Sequence, residues 1–316
     1  SANALTVYGD TITLGSGTLA ISGGKTLVLD ALGDIAASSG SGVAASTSGD
    51  LLINYRATGF SGTGSNHLSF ARALTAANIS LQQQGSGDLV LMNKLSGTAS
   101  LAATDLANLQ ASTLLSIGGS GSYASPAAAS PTLTLSSANA LSASQVASNL
   151  ELDFNAIQLN NNLTLASGKT LTLISQSGVA QAAGKALNVS NLLLSGSGSI
   201  TLGGANQVGT LASDSTSAVS LGLGGGNLAI GAVGSTSGMR NASSIAISGA
   251  RSISVNAGVS ASGSVSLAGG AGLSAGTSAN GIVIGSAAQV RSLAGDVLLD
   301  AGMAGNFINN RGADAV

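Results

Sequence analysis

The sequence has no cysteine and no tryptophan, and it has only two prolines and one histidine, His67. The lack of cysteine excludes a disulfide framework and, with a single histidine, a zinc site. Charged residues make up 7 % of the chain and aromatic residues 2 %. Ordinary soluble domains have roughly 25 % charged residues. The sequence therefore lacks both the surface charges and the bulky core residues that an α/β enzyme needs.

The few charges are scattered singly and give a net charge of −2. Because the chain has no basic run and few aromatic side chains, we expect no nucleic-acid partner. Two prolines and the absence of glycine at every third position exclude collagen. The 44 % hydrophobic content argues against generic disorder. The chain also lacks an apolar run of about 18 residues, the length of a membrane-spanning helix.

The residues that dominate are alanine (53), serine (52) and glycine (46). Between them lie short bursts in which apolar residues alternate with small or polar ones. Such alternation, bounded by Gly, Ser, Asn or Asp, predicts strands of three to five residues. The pairs are Ile12/Leu14, Leu19/Ile21, Leu27/Leu29, Leu51/Ile53, Leu89/Leu91, Leu171/Leu173, Ile200/Leu202, Leu228/Ile230, Ile245/Ile247, Val265/Leu267, Ile282/Ile284 and Val297/Leu299.

The bursts recur regularly, which predicts a solenoid. Their strands begin about eight residues apart in two stretches, 19–51 and 163–187. A longer spacing of about 17–20 residues links Leu228, Ile245, Val265 and Ile282, and also Ile253, Leu273 and Val290. The segment LAISGGKTLVL at 19–29 returns as LTLASGKTLTL at 163–173, an offset of 144 residues. About seven coils of 20.6 residues, or six of 24, give that offset.

We therefore predict an all-β fold, a right-handed parallel β-helix of roughly 15 coils of about 20 residues, over 1–316 as a single segment of a longer protein. A loop or short-helix insertion is expected around 102–150. Helical spacing is seen at 104–110 and 142–150, and both prolines lie between them. A domain boundary near 120–131 is the alternative.

A glycine followed by a small or acidic residue repeatedly precedes an aliphatic strand. We interpret this as a corner repeated from coil to coil, where glycine supplies unusual backbone angles. The corner aspartates, Asp34, Asp50, Asp88 and Asp296, are accordingly not catalysts. The corners are Gly17-Thr18-Leu19, Gly49-Asp50-Leu51, Gly87-Asp88-Leu89, Gly198-Ser199-Ile200, Gly226-Asn227-Leu228, Gly263-Ser264-Val265 and Gly295-Asp296-Val297.

One group of polar residues stands apart. Glu151, the only glutamate, alternates with Asp153 and Asn155, so in a strand all three face one side. Three hypotheses are open: a solvated strand face, a calcium site formed by these three oxygen-bearing side chains, or a carboxylate pair that cleaves glycans as general acid and base. We expect the solvated face, with no catalytic residue, no cofactor and no small-molecule substrate.

Two stretches, GSGSITLGGANQVGTLA at 196–212 and SGSVSLAGGAGLSAGTSANGIVIG at 262–285, resemble the filamentous-haemagglutinin-like exoproteins of bacterial two-partner secretion. The segment AGNFINNRGADAV at 304–316 is similar to a FINN-x-GA segment common in that family. The resemblance implies a secreted right-handed β-helix that is exported through an outer-membrane transporter. The Asn-Pro motifs of the family's secretion domain do not occur in this sequence.

From the residues and the resemblance we expect a non-enzymatic shaft of a large secreted exoprotein or adhesin on the bacterial cell surface. Its expected partners are the transporter during export, a host or neighbouring-cell surface, and further copies of itself in fibres. Two alternatives stay open. One is a β-helix polysaccharide lyase or hydrolase centred on Glu151 and Asp153, and the other is the stick of a contact-dependent toxin system.

Overall fold

The structure is a computed structural model that describes residues 4–55, 68–83, 88–95, 98–119, 131–274 and 280–309. Strands account for 60 % of it and helix for 2 %, so the fold is all-β. The strands form long parallel sheets, an arrangement consistent with a β-solenoid. The chain divides into two compact units, Ser1–Ala166 (unit 1) and Ser167–Val316 (unit 2). No helix among the described residues is long and apolar enough to cross a membrane.

Of the 31 strands formed by the described residues, unit 1 contains fifteen, together with one short helix. They are β1 Ala4–Gly9, β2 Ile12–Leu14, β3 Leu19–Ile21, β4 Thr26–Ala31, β5 Ile35–Ala37, β6 Val43–Thr47, β7 Asp50–Tyr55, β8 Leu68–Phe70, β9 Ala73–Gln83, β10 Leu89–Leu91, β11 Ala99–Leu101, α1 Ala103–Ala107, β12 Leu109–Gly118, β13 Thr132–Leu135, β14 Asn149–Leu159 and β15 Leu163–Thr164.

These strands stack side by side in columns of parallel pairs. The longest column of unit 1 runs β1, β4, β7, β9, β12 and β14. Its paired residues are Leu5, Leu27, Leu51, Ile79, Leu115 and Leu150, so the chain returns to the column after 22, 24, 28, 36 and 35 residues. A second column contains β3, β6, β9 and β12, and a third contains β2, β5 and β8. Another parallel set joins β11, β10, β13 and the second half of β14.

Unit 2 contains the other sixteen strands. They are β16 Thr170–Gln181, β17 Leu187–Ser195, β18 Ser199–Ser213, β19 Val219–Leu223, β20 Asn227–Ile230, β21 Ala232–Val233, β22 Thr236–Ser237, β23 Met239–Ala242, β24 Ile245–Ser248, β25 Ser252–Val255, β26 Val259–Ala261, β27 Val265–Ala268, β28 Asn280–Ile284, β29 Val290–Ser292, β30 Val297–Asp300 and β31 Asn306–Asn309.

Unit 2 has shorter and more even returns at its start. Its longest column runs β16, β17, β18, β20, β25, β28 and β31, with returns of 21, 19, 19, 25, 29 and 25 residues along the inward line from Leu171 to Asn309. A second column runs β16, β18, β19, β24, β27 and β30. A third, shorter one runs β23, β26 and β29. β21 and β22 form an antiparallel hairpin beside them.

All twelve apolar pairs lie in strands, which confirms the strand prediction, although several strands, such as β16 and β18, are longer than the three to five residues predicted. Ten of the pairs are buried and build a narrow aliphatic core, with Leu27 and Leu171 fully covered. The other two pairs, in β3 and β30, are only half-buried. The eight-residue spacing is confirmed for 19–51, since β3 to β7 begin at residues 19, 26, 35, 43 and 50. It is wrong for 163–187, where Val179 lies inside β16 and the next strand, β17, begins at Leu187.

The corner glycines are explained by close packing and not, as predicted, by unusual backbone angles. Six of the seven lie among the described residues, and none has a positive φ. A Cβ added at Gly49, Gly198, Gly263 or Gly295 would come within 2.7 Å of the backbone of a neighbouring coil. Real Cβ atoms do not approach that closely, so these corners require glycine because coils pack tightly against each other.

The uniform coil of about 20 residues is wrong for unit 1, where the returns are 22 to 36 residues. Neither seven nor six equal coils explains the 144-residue offset, because four returns from Leu27 to Leu150 already take 123 residues. The predicted 17–20 register is correct only for Ile245 with Val265. Leu228 pairs with Ile253, and Val265 pairs with Val297. Unequal turns bring residues about 20 apart into different columns.

The expected insertion around 102–150 is partly helical. The helix predicted at 104–110 is present as α1, although β12 begins at Leu109. The helix predicted at 142–150 is wrong: one turn, with Val146 N donating to Ser142 O at 3.3 Å, gives way to β14 at Asn149. Pairing of Leu150 with Leu115 in the column outweighs the weak helical preference of that segment. The loop expected at 120–130 lies outside the described residues.

Candidate functional site: the Glu151 and Asp153 carboxylates

The carboxylate pair lies on the first half of β14. Leu150 and Leu152 point into the core and are at most 1 % exposed, so the alternation places Glu151 and Asp153 on the outer face. Glu151 is half-buried, whereas Asp153 is only 6 % exposed. Glu151 and Asp153 therefore lie on one face of the strand, as the alternation predicted. That face is not freely solvated at Asp153.

The third predicted residue, Asn155, lies where β14 changes partner. Residues up to Asp153 pair with β12, and residues from Ala156 pair with β13. Phe154 is fully buried at this change of direction. Asn155 therefore lies between two columns and not in the straight strand that holds Glu151 and Asp153. The sequence contains no clear mark of this bend, because the alternation in ELDFN continues through it.

Hydrogen bonding and burial differ between the two carboxylates. Ser116, the β12 partner of Glu151, donates its Oγ–H to Glu151 Oε1 at 2.8 Å. Burial, and secondly the nearby negative charge of Glu151, raise the pKa of Asp153 from 3.8 to about 6. Asp153 therefore takes up a proton near pH 6.

A glycine beside the pair is a feature that the sequence analysis missed. Gly118 is the register partner of Asp153 and has φ +91°, a conformation that favours glycine. A Cβ at this position would meet Asp153 O and would lie 2.7 Å from Phe154 Cε2. The backbones of β12 and β14 are therefore closely packed at Asp153.

A calcium or other metal site needs more ligands than this pair supplies. In the part of the chain that the structure describes, no group of three or more His, Cys, Asp or Glu side chains is arranged to hold a metal ion. Calcium takes six to eight oxygen ligands. The two carboxylates and Asn155, which is displaced from them along the bend, are a partial set at most.

Arg72 is a buried polar side chain that sequence analysis did not identify. It is 3 % exposed and fills the corner region of unit 1. Its Nε donates to Ser38 O at 3.0 Å and its Nη1 to Ser16 O at 3.1 Å. Its Nη2 contacts Gly15 O and donates to Gly17 O at 3.1 Å. The guanidinium therefore joins the backbones of two successive turns, which is a structural role.

A second structural cluster joins α1 to its neighbours. Asp105, 5 % exposed, accepts hydrogen bonds from Phe70 N at 2.8 Å and Ala102 N at 2.9 Å. Lys94 Nζ forms an ion pair with Asp105 Oδ2 at 2.9 Å. In unit 2 the fully buried Asn206 has a similar structural role. Its Oδ1 accepts a hydrogen bond from Leu187 N at 2.7 Å, and its Nδ2 donates one to Gly222 O at 2.9 Å.

The corner aspartates lie where the sequence predicted, at or directly before strands. Asn78 Nδ2 donates to Asp50 Oδ1 at 2.9 Å, and Thr132 N donates to Asp88 Oδ1 at 2.8 Å. Each bond runs from one strand of a column or set toward the next. These carboxylates are spread over separate corners and do not converge on a catalytic site.

No protein-family profile, no curated protein and no solved structure matches the chain.

Proposed function

We propose that this chain is a non-enzymatic structural shaft of a large secreted bacterial exoprotein or adhesin, wound as a right-handed parallel β-helix. The observation that carries the proposal is the stacking of parallel strands in columns over an aliphatic core in each unit. Such a stack gains its stability from contacts between neighbouring coils, so it extends without a large central core. Its polar side chains mostly bind other parts of the fold, as Arg72 and Asn206 do.

The proposed setting rests on the resemblance of 196–212, 262–285 and 304–316 to filamentous-haemagglutinin-like exoproteins. By that resemblance the chain is exported through an outer-membrane transporter and works outside the cell or on its surface. There it holds a binding or effector region away from the membrane, against a host or neighbouring cell. The absence of cysteine is compatible with this exterior location, because a stacked solenoid needs no disulfides.

Small-angle X-ray scattering of the purified chain tests the shaft. We expect a rod-like profile with a maximum dimension several times its cross-section. A compact, near-spherical profile would contradict the proposal. Secretion with and without a two-partner transporter in a bacterial host tests the setting: we expect a secretion domain fused before residue 1 to export the chain only with its transporter.

A second candidate function, cleavage of an acidic or neutral glycan, is favoured by one observation. Asp153, whose pKa is raised to about 6, lies two residues from Glu151 on the same strand face, and a carboxylic acid with a raised pKa suits a general acid. Assays on pectin, alginate and chitin decide between the two candidates. Activity that Glu151→Gln and Asp153→Asn both abolish would support the enzyme, and we expect none.

A further inference from the structure

The longest column of unit 1 has a row of three polar side chains on its outward face. Asp30 of β4, Asn54 of β7 and Gln82 of β9 are register partners on successive strands, which lie about 4.8 Å apart. The residue directly before each of them is fully buried in the core, so the alternation of the strands turns these three side chains outward. We call them the polar row.

One atom of the polar row is covered and has no hydrogen-bond partner. Asn54 Oδ1 is the only buried side-chain oxygen or nitrogen of this kind among the described residues. An unpaired buried acceptor costs free energy, so it calls for a donor or a cation beside it. The side chains of Asp30 and Gln82 are half-buried and form no hydrogen bond with other described residues. All three members of the row are therefore available to a ligand.

A second register pair in the same column shows how an aspartate and an asparagine pair in this fold. Asn78 is the register partner of Asp50, and its Nδ2 donates to Asp50 Oδ1 at 2.9 Å. Asp30 and Asn54 are related in the same way but form no such bond. In their case the buried atom of the asparagine is its oxygen, beside a carboxylate that only accepts when ionised. Two adjacent acceptors suit a positive ion between them.

We propose that the polar row binds a calcium ion. The carboxylate of Asp30 and the amide oxygens of Asn54 and Gln82 are ligands of the types that calcium takes, and water supplies the rest of its six to eight oxygens. The bound ion pairs with Asn54 Oδ1 and neutralises Asp30. Because the row holds one carboxylate only, we expect half-saturation between about 0.1 and 1 mM, the range of extracellular calcium modules.

Isothermal titration calorimetry of the purified chain with calcium chloride, together with thermal unfolding, tests the site. We expect half-saturation in that range, and an unfolding temperature about 3 °C higher in about 10 mM calcium than in chelator. Magnesium should bind at least about tenfold more weakly, because it demands near-ideal octahedral geometry and gives up its water reluctantly.

Two substitutions in the row should each weaken calcium binding at least about tenfold: Asp30→Asn and Asn54→Leu. Asn54→Leu also removes the unpaired acceptor, so without calcium this variant should unfold at the same temperature as the wild type or higher. Asn54→Asp adds a second carboxylate and should bind calcium more tightly. The matched control is Asp50→Asn, which makes the same change of charge in the same column and should leave calcium binding unchanged.

Several results would overturn the proposal. They are a wild type that binds no calcium at about 10 mM, binding that Asp30→Asn or Asn54→Leu leaves unchanged, and magnesium binding as tight as that of calcium. An equal loss in Asp50→Asn would show a response to net charge and not to this site. A calcium-free Asn54→Leu variant that unfolds below the wild type would show that Asn54 Oδ1 has a partner without the ion. Results on secretion or on the rod-like shape concern the proposed function and leave this one unchanged.

Discussion

The two units bury different kinds of polar side chain. Among the described residues, every buried charged side chain lies in unit 1: Arg72, Asp105 and Asp153. The buried polar side chains among the described residues of unit 2 are all neutral, and Asn206 forms hydrogen bonds to several neighbouring segments. Each unit has an aliphatic core of its own, so the difference lies in how their turns are held.

Return length alone does not explain this difference. Unit 1 takes up to 36 residues to come back to its longest column, whereas unit 2 begins with returns of 21, 19 and 19. The carbonyls that Arg72 binds, at Ser16, Gly17 and Ser38, nevertheless lie within the two shortest returns of unit 1, of 22 and 24 residues. An unpaired buried carbonyl is costly, and Arg72 satisfies several of them at once.

The largest loss of stability is expected from substitutions in the aliphatic core, which each unit has. Leu171→Asp places an unpaired carboxylate in a fully buried position and should cost more than about 4 kcal/mol or abolish soluble expression. Leu27→Asp should do the same in unit 1. The controls are Lys169→Ala and Lys25→Ala, at half-buried positions that were predicted to be exposed, and each should stay within about 0.5 kcal/mol. Chemical denaturation measures the free energy of unfolding of all four variants. If the lysine substitutions were costly and the leucine substitutions tolerated, the inward placement of these leucines would be wrong.

Removing the Arg72 side chain should lower the stability of unit 1, whereas a matched substitution in unit 2 should have little effect. Arg72→Met keeps the apolar stem but leaves carbonyls of two turns without their donor, so we expect a loss of about 3 kcal/mol in the stability of unit 1. Arg240→Met, at an exposed position in unit 2, is the matched control and should be nearly silent. Hydrogen exchange shows where protection is lost. Equal loss from both substitutions would show that Arg72 has no special role.

The corner glycines test whether close packing or backbone angle matters. Gly49→Ala would place a Cβ 2.6 Å from Gly24 O, and we expect a cost of about 2–3 kcal/mol. Gly17 occupies the same kind of corner with no atom within 4 Å of an added Cβ, so Gly17→Ala should be neutral or slightly stabilising. Thermal unfolding compares them. If both cost the same, packing is not the reason for glycine at these corners.

The sequence was sufficient to predict where the strands lie but not which strands pair with each other. Alternation identified pairs such as Ile12/Leu14 and Val265/Leu267, because a strand that buries one face must alternate. It could not tell that Val265 pairs with Val297 and not with Ile282, since that depends on turn lengths. Nor could it locate Arg72, whose ligands are backbone carbonyls 31 to 57 residues away and have no side-chain signature.

The candidate carboxylate pair was found for the same reason, by strand alternation, and its burial was missed. Asp153 is 6 % exposed although it lies on the outer face, and its register partner, Gly118, is 35 residues away in the sequence. The bend of β14 after Asp153 was also missed, because ELDFN continues to alternate. Both omissions concern packing between strands distant in sequence, which a local pattern does not record.

The smallest predicted effect depends on pH and applies to unit 1 alone. The pKa of Asp153 is raised from 3.8 to about 6, so between these values the folded chain binds more protons at this site than the unfolded chain. The stability from this group is therefore fully present below about pH 4 and is lost as the pH rises through 6. Asp153→Asn removes that loss. We expect the variant to gain about 1–2 kcal/mol on the wild type between pH 4 and pH 8.

Glu151→Gln sharpens this test, because Glu151 contributes the second of the two causes of the raised pKa. It should move the midpoint of the pH dependence downward without abolishing it, since burial is the larger cause and is unchanged. Denaturant unfolding at pH 4, 6 and 8 measures both variants, and Asp50→Asn at an exposed corner is the control. If Asp153→Asn and the wild type lose stability in parallel from pH 4 to pH 8, Asp153 does not titrate in this range, and the acid that the glycan-cleaving alternative requires is absent.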